Sequence, residues 1–269
     1  MLEIKSLGKT YGEGPKATHA VADIGFEVAD GEFVCVVGPS GCGKTTLLKC
    51  VAGLLRPTRG EVLLRGRVVT KPPEDMALVF QDYSRSLMPW ASVRNNVLLP
   101  LRHKKLSRSE RTSLVEDSLA SVDLSRFADH YPWQLSGGMQ QRVAIARALA
   151  YQPTILLMDE PFASVDAQTR GDLEDLILRV RDEYGITILF VTHDIDESVY
   201  LADRVVVLTH SPTHVKEIVS VHLPRPRDQI ATKELPEFAH LRGHVYRLIK
   251  RDQAPAGEDA DLAVVEGAR

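Results

Sequence analysis

Gly38-Pro39-Ser40-Gly41-Cys42-Gly43-Lys44-Thr45 follows the apolar run Phe33 to Val37 and precedes a segment in which Leu47, Leu48 and Val51 share one helical face. It fits G-x-x-x-x-G-K-[ST] between a strand and a helix, the context in which that pattern has a mechanism. Glycines let successive backbone N–H groups turn inward around an anion, and the following helix N-terminus adds partial positive charge at the same point. Lys44 would reach β- and γ-phosphates, the Thr45 hydroxyl would ligate Mg²⁺, and Thr46 completes the candidate nucleotide-binding loop. The other reading, a Gly-rich turn with no ligand, leaves the Lys and Thr in register unexplained. Cys42 lies within the loop, where the helix dipole favours a thiolate. A redox switch is open to it, although a small residue tolerated beside phosphates is the simpler reading.

Outward from the loop, Met76 to Phe80, Thr154 to Met158, Thr187 to Val191 and Arg204 to Leu208 are short, apolar and bounded by polar residues or Gly, like Phe33 to Val37. Such runs suit strands covered on both faces. Leu173, Leu176, Ile177, Val180 and Tyr184 repeat at helical spacing between two of them, so the fold class is α/β with a largely parallel sheet. Ligands gather at the carboxyl ends of such strands. Asp159 and Glu160 therefore emerge at the edge that carries the loop, Asp159 to hold Mg²⁺ through its water shell and Glu160 to polarise an attacking water. His193 follows another strand and could donate to a γ-phosphate, or be a capping residue. Gln81 ends a third, to contact Mg²⁺ or the lytic water, or as a polar strand end.

Elsewhere the pattern changes. Leu2 and Ile4, then Ile24, Phe26 and Val28, alternate with polar residues or Gly, a half-buried antiparallel signature. Gly60 to Val69 reads as a hairpin turning near Arg65-Gly66. Residues 84–150 are helical and strand-poor, an insertion into the α/β core. After Leu208 the pattern weakens. Pro224-Arg225-Pro226-Arg227 reads as an extended linker whose arginines are solvated, and Phe238, Leu241, Val245, Leu248 and Ile249 form one helical stripe. The expected organisation is a domain over 1–222 with a helical subdomain at about 84–150, a linker and amphipathic helix over 223–251, and a disordered acidic, Ala/Gly-rich tail over 252–269.

The 269 residues are 44% hydrophobic and 26% charged with a net charge of -3, which supports a sizeable core and lacks the basic footprint of a nucleic-acid binder. The apolar runs fall far short of the ~20 residues that span a bilayer. Charges within Met1 to Lys5 argue against a secretory signal, so cytoplasmic residence is expected. Cys35, Cys42 and Cys50 lack disulfide or zinc spacing and read as reduced thiols.

Leu135-Ser136-Gly137-Gly138-Met139-Gln140-Gln141-Arg142 decides among the functions open to a phosphate-binding fold. Ser136 and two glycines before a helix make a second anion-binding helix N-terminus. One nucleotide does not need two, so this one is expected to serve the nucleotide of a second subunit.

With these motifs in order, Met1 to Leu208 resembles the ATP-binding subunit of ABC transporters. Gly38 to Thr45 corresponds to that family's Walker A, Ile155 to Glu160 to its Walker B, Gln81 to its Q-loop, Leu135 to Arg142 to its signature and His193 to its switch histidine. Ser164-Val165-Asp166 fits the D-loop, which makes Asp166 a candidate nucleotide contact, and Val165 departs from the more usual Ala-Leu. Tyr11 matches the aromatic on which the family stacks adenine, or is an ordinary strand-end tyrosine. The resemblance implies a P-loop NTPase with a RecA-like core, an N-terminal antiparallel β subdomain and a helical insertion. It also implies ATP and Mg²⁺ as cofactors, and Lys44, Gln81, Glu160 and His193 as catalytic residues with Thr45, Gln81 and Asp159 around the metal. The nucleotide would be held by Tyr11, Gly38, Pro39, Ser40, Gly41, Cys42, Gly43, Lys44, Thr45 and Thr46, and across a head-to-tail dimer by Ser136, Gly137, Gly138 and Asp166. Further expected partners are a second copy or homologous ATPase subunit, integral-membrane permease subunits and, indirectly, an extracytoplasmic solute-binding protein. The chain would sit peripherally on the cytoplasmic face of the inner membrane.

Val79 to Trp90, with Val93, Asn96-Val97 and Leu223 to Arg227, is similar to the nitrate, sulfonate, taurine and bicarbonate importers. There the segment after the Q-loop receives the permease's coupling helix, so Met88, Pro89 and Trp90 form an apolar contact or else pack into the helical insertion. The competing function is a soluble ABC-type ATPase acting on nucleic acid or ribosomes. Against it stand one uninterrupted cassette and the weak net charge, and Glu160 with His193 argues against an inactive module. His240 and His244, at i,i+4, read as surface residues rather than a metal pair.

Overall fold

A computed structural model describes residues 1–82 and 86–251, the Arg251 side chain excepted. Among them ten strands form one sheet: β1 (Leu2–Tyr11), β2 (Thr18–Val28), β3 (Phe33–Val37), β4 (Arg59–Leu64), β5 (Arg67–Val68), β6 (Met76–Val79), β7 (Ile155–Asp159), β8 (Thr187–Val191), β9 (Arg204–Leu208) and β10 (Thr213–Ser220), in the spatial order β5-β4-β1-β2-β10-β9-β3-β8-β7-β6. β9, β3, β8, β7 and β6 run parallel. β1 is antiparallel to β2 and β4, and β4 to β5, with the turn at Arg65-Gly66. The five strands expected from apolar runs are present; β6 ends one residue early, and β7 is shifted by one residue at both ends.

The parallel strands bury both faces, and the two-residue period divides their side chains between two cores. Phe33, Cys35 and Val37 of β3 face one side, where the helices of the insertion and of the carboxyl-terminal half pack. Val34 and Val36 face the other, against α1 (Lys44–Val51) and the antiparallel strands. The insertion contains α2 (Val93–Leu98), α3 (Arg108–Ser121), which opens on a Ser107/Glu110 capping box, and α4 (Gly137–Ala150). α5 (Ala167–Tyr184) and α6 (Ile195–Leu201) follow β7 and β8.

β10 departs from the sequence reading. It carries His214, Lys216 and Glu217 and is only partly buried, which leaves no apolar run to recognise. It pairs parallel with β2 and antiparallel with β9, and so joins the two halves of the sheet. The stretch read as a linker with solvated arginines is also packed. Leu223 is buried, Arg225 pairs with Asp203 and Asp182, and Arg227 donates to the carbonyls of Tyr200 and Ala202. The Arg227 guanidinium thereby closes the end of α6, where backbone acceptors lack helical partners.

α7 (Pro236–Arg251) buries Phe238, Leu241 and Val245 against the first core. His244 is 2.7 Å from Glu217 of β10, so the His240/His244 spacing makes no metal pair, and no cluster of three or more His, Cys, Asp or Glu is placed to hold a metal among the described residues. The tail over 252–269 lies outside the described residues. No described helix is long and apolar enough to cross a membrane.

Candidate functional site

β3 ends at Val37 and α1 begins at Lys44, so the loop between them is held by a strand on one side and a helix N-terminus on the other. Gly43 caps α1 at φ 98°, and a Cβ there would lie 2.8 Å from the Ala20 carbonyl; only glycine meets both conditions. Lys44 is 5% exposed. Its ammonium donates to the carbonyls of Gly38 at 3.0 Å and Pro39 at 3.1 Å and lies 3.9 Å from a Glu160 carboxylate oxygen. The cation is thus held inside the loop whose backbone N–H groups would cradle phosphate.

Thr45 donates its hydroxyl to Asp159 Oδ1 at 3.2 Å. Burial raises the Asp159 carboxyl above its usual range, with the Thr45 hydrogen bond opposing. One hydroxyl and one carboxylate fit Mg²⁺, which is commonly held by one or two protein oxygens together with substrate phosphates. Tyr11 ends β1 half-exposed, its hydroxyl 3.3 Å from the Thr46 hydroxyl. Its ring therefore flanks the loop, where a base attached to the phosphates can be reached.

Glu160 is the point on which the other elements converge. It follows β7 at φ 44°, a left-handed conformation uncommon for a residue with a Cβ, and its N–H is fixed to the Val191 carbonyl at 2.8 Å. His193 Nδ1 lies 2.9 Å from Glu160 Oε2, and Gln81 Nε2 donates to the same oxygen at 3.5 Å. Lys44, Gln81 and His193 come from the segments that follow three different strands, so the adjacency of β6, β7, β8 and β3 sets the cluster.

Ser136, Gly137, Gly138 and Asp166 form a second cluster. Ser136 caps α4 by accepting the Met139 N–H at 3.3 Å, and Asp166 caps α5 through the Thr169 N–H at 3.0 Å and hydroxyl at 2.7 Å. These bonds, the backbone N–H first, hold the Asp166 carboxyl low. A Cβ on Gly138 would come within 2.3 Å of Thr169 Cγ2, so the two helix starts touch because position 138 has no side chain. Among the described residues no hydrogen bond joins Ser136, Gly137, Gly138 or Asp166 to residues 38–46, and Ser136 and Gly137 are exposed. Gly138→Ala should push Thr169 off the Asp166 cap. Such overpacking costs about 1–3 kcal/mol, which should appear as a lower denaturation midpoint with ATP affinity at the Lys44 loop retained.

Cys42 departs from the thiolate that its place near a helix N-terminus suggests: it is 1% exposed, and burial raises its thiol above the ordinary value despite the Lys44 charge. It is a packed thiol, not a thiolate, and any contact with phosphate is through its backbone. The structure also supplies residues that sequence reading did not single out. Thr213, fully buried on β10, donates its hydroxyl to the Cys42 and Ala20 carbonyls and props the loop from behind. Arg170 donates to Asp194 at 2.8 Å and so ties α5 to the loop carrying His193. No local pattern marks either residue, because both contacts depend on tertiary packing.

Comparison with known proteins agrees with this geometry. Residues 21–163 match the family described as ABC transporter. An uncharacterised ABC transporter ATP-binding protein of Methanocaldococcus jannaschii is 47% identical over 93% of this chain and 91% of its own. The nitrate import ATP-binding protein NrtC of Synechococcus elongatus is 43% identical over 87% of this chain, which spans only 36% of that relative. Among solved structures, a dimeric ATP-binding cassette in a post-hydrolysis state, bound to ADP and Pi, superposes with a TM-score of 0.72 at 35% identity, covering 82% of this chain and 99% of the other. A lysine-bearing phosphate loop, a Thr–Asp pair and a carboxylate met by Gln and His, on a chain matched this extensively, make it a member of the ABC transporter family, an ATP-binding and ATP-hydrolysing subunit.

Proposed function

We propose that the chain powers solute import as a head-to-tail dimer, each ATP lying between the Walker loop of one subunit and Ser136 to Gly138 of the partner subunit. The observation that carries this reading is the convergence of Lys44, Gln81 and His193 on Glu160 beside the Thr45–Asp159 pair, while the signature helix start stands apart and exposed. A Mg²⁺ held by Thr45, Asp159 and Gln81 would draw charge from the phosphates. Lys44 neutralises the β- and γ-phosphates. Glu160 takes the proton of the attacking water, which Gln81 helps orient, and His193 donates to the γ-phosphate as charge builds there. The partner subunit's helix start supplies a further dipole and N–H donors, so hydrolysis waits for closure.

The solute is proposed to be a small anion of the nitrate, sulfonate, taurine or bicarbonate class, presented by an extracytoplasmic binding protein to a permease in the inner membrane, with this chain on its cytoplasmic face. The name of the Synechococcus relative supports that class. Trp90 is 76% exposed and Pro89 is exposed beside it, which suits a permease contact. Met88 is half-buried, its backbone bonded to Asn96, and belongs to the insertion's packing; Tyr83 to Arg85 lie outside the described residues. Trp90→Ser should therefore weaken permease association by about 2 kcal/mol, ~30-fold, with ATP binding unchanged. Purification from detergent-solubilised membranes tests both points. The chain should be recovered with a hydrophobic permease and support ATP-dependent anion uptake in vesicles; recovery with ribosomes or nucleic acid and no permease would contradict the reading.

A further inference from the structure

Beside the Glu160–His193 pair lies a cavity of ≈ 10 Å³, lined by Glu160, Arg170, Thr192, His193, Asp194 and Glu197 among others. That is near the lower limit for one water molecule. Glu197 stands in the first turn of α6 and is only 4% exposed, and no role assigned so far calls for a carboxyl there. Its carboxyl meets the residue before His193, and its backbone N–H meets the residue after it. The Thr192 hydroxyl lies by the Glu197 carboxyl and favours its charged form, and it accepts the Asp194 N–H at 3.0 Å. The Glu197 N–H donates to Asp194 Oδ1 at 3.1 Å. Asp194 Oδ2 in turn takes Arg170 at 2.8 Å, and the Arg170 N–H returns to the Asp166 carbonyl at 2.9 Å. Thr192 itself is anchored to β3 through the Val36 carbonyl.

We propose that Glu197 is a positioning residue for ATP hydrolysis, its buried carboxyl holding Thr192 and, through the Thr192 hydroxyl that accepts the Asp194 N–H, Asp194 as well, so that His193 stays against Glu160. The proposal rests on the assignment of Glu160 as base and His193 as phosphate contact. A carboxyl buried this deeply is costly to ionise. Burial, with the negative charges of Glu174 and Asp194 adding to it, pushes Glu197 up to about 8, while the Thr192 bond and Arg170 oppose the rise. The surrounding charges do not relieve it: Arg170 is bonded to Asp194, Lys233 lies 3.5 Å from Glu174, Arg242 of α7 pairs with Asp196, and His193 faces Glu160. Below that pH the neutral acid sits beside Asp194 without repulsion. Above it, a second negative charge enters the same buried site, repels Asp194 and loosens the grip on His193.

Steady-state Mg-ATP hydrolysis by the full chain, over a pH range spanning the Glu197 value of about 8, tests this with Glu197→Gln, Glu197→Ala and a Glu160→Gln control. Wild-type kcat should fall on the alkaline side, and Glu197→Gln, which stays neutral and keeps its hydrogen bonds, should retain kcat at neutral pH and lose that fall. Glu197→Ala should lower kcat roughly 10²-fold, the scale of a small misplacement of a catalytic group, with the ATP KM unchanged. If the alanine variant does not fold, the pH profile of the glutamine variant decides alone. An alkaline fall shared by wild type and Glu197→Gln, or a folded Glu197→Ala with wild-type kcat, overturns the proposal. A Glu160→Gln control that hydrolyses at the wild-type rate overturns the underlying assignment instead.

Discussion

Lys44→Ala is expected to bind ATP at least ~10²-fold more weakly, since hydrogen bonds to charged groups contribute about 1.5–3 kcal/mol each and this cation can make more than one to phosphate. Its surroundings enlarge the effect. The ammonium is buried with the carbonyls of Gly38 and Pro39 on one side and the Glu160 carboxylate at 3.9 Å on the other. Alanine leaves Glu160 facing the phosphates uncompensated. Calorimetric titration of the variant with ATP, and circular dichroism to show that it is folded, measure the loss. Unchanged affinity would mean that the loop is not the nucleotide site.

Glu160→Gln is expected to bind ATP normally and hydrolyse it ~10²–10⁴-fold more slowly, the range a positioned general base supplies. Glutamine preserves the size of the side chain and a carbonyl oxygen for His193 and Gln81, so the 2.9 Å and 3.5 Å contacts can persist. What disappears is an oxygen able to take the proton of water. Single-turnover release of phosphate separates this loss from any change in binding, and a wild-type rate would remove Glu160 from the mechanism.

Where a segment is buried on both faces, its sequence announced it. Phe33 to Val37 and Ile155 to Met158 are unbroken apolar runs because two cores claim alternate residues, and the residues at their carboxyl ends stand out by contrast. That contrast makes Asp159, Glu160, Gln81 and His193 legible in the sequence, while Lys44 is legible from the spacing of the glycine-rich loop. β10 gave no such sign, since Thr213 to Ser220 is half polar and owes its place to pairing with β2 and β9. Arg225 and Arg227 stood in a Pro-rich stretch whose composition suggests solvated linker, yet the partners that pin them, Asp203 and the end of α6, lie about two dozen residues or more away in sequence. Glu197 was hidden for another reason. An acidic residue in a helix's first turn ordinarily faces solvent and answers the helix dipole, and only the packing of α5, α6 and the carboxyl-terminal segment makes this one a buried acid. Cys42 errs in the same direction: proximity to a helix N-terminus favours the thiolate, but burial outweighs it.

The central claim, an ATP sandwich shared between two subunits, is tested most directly by light scattering on Glu160→Gln with and without Mg-ATP. Slow hydrolysis should let the ATP-bound closed state accumulate, so the measured mass should double on adding Mg-ATP and return when nucleotide is removed. Adding Ser136→Arg, which sets a bulky side chain at the exposed start of α4 where the partner's γ-phosphate would lie, should keep the protein at monomer mass while ATP still titrates its own Lys44 loop. A Glu160→Gln protein that stays monomeric at saturating Mg-ATP, or a double variant that still dimerises, would contradict the account.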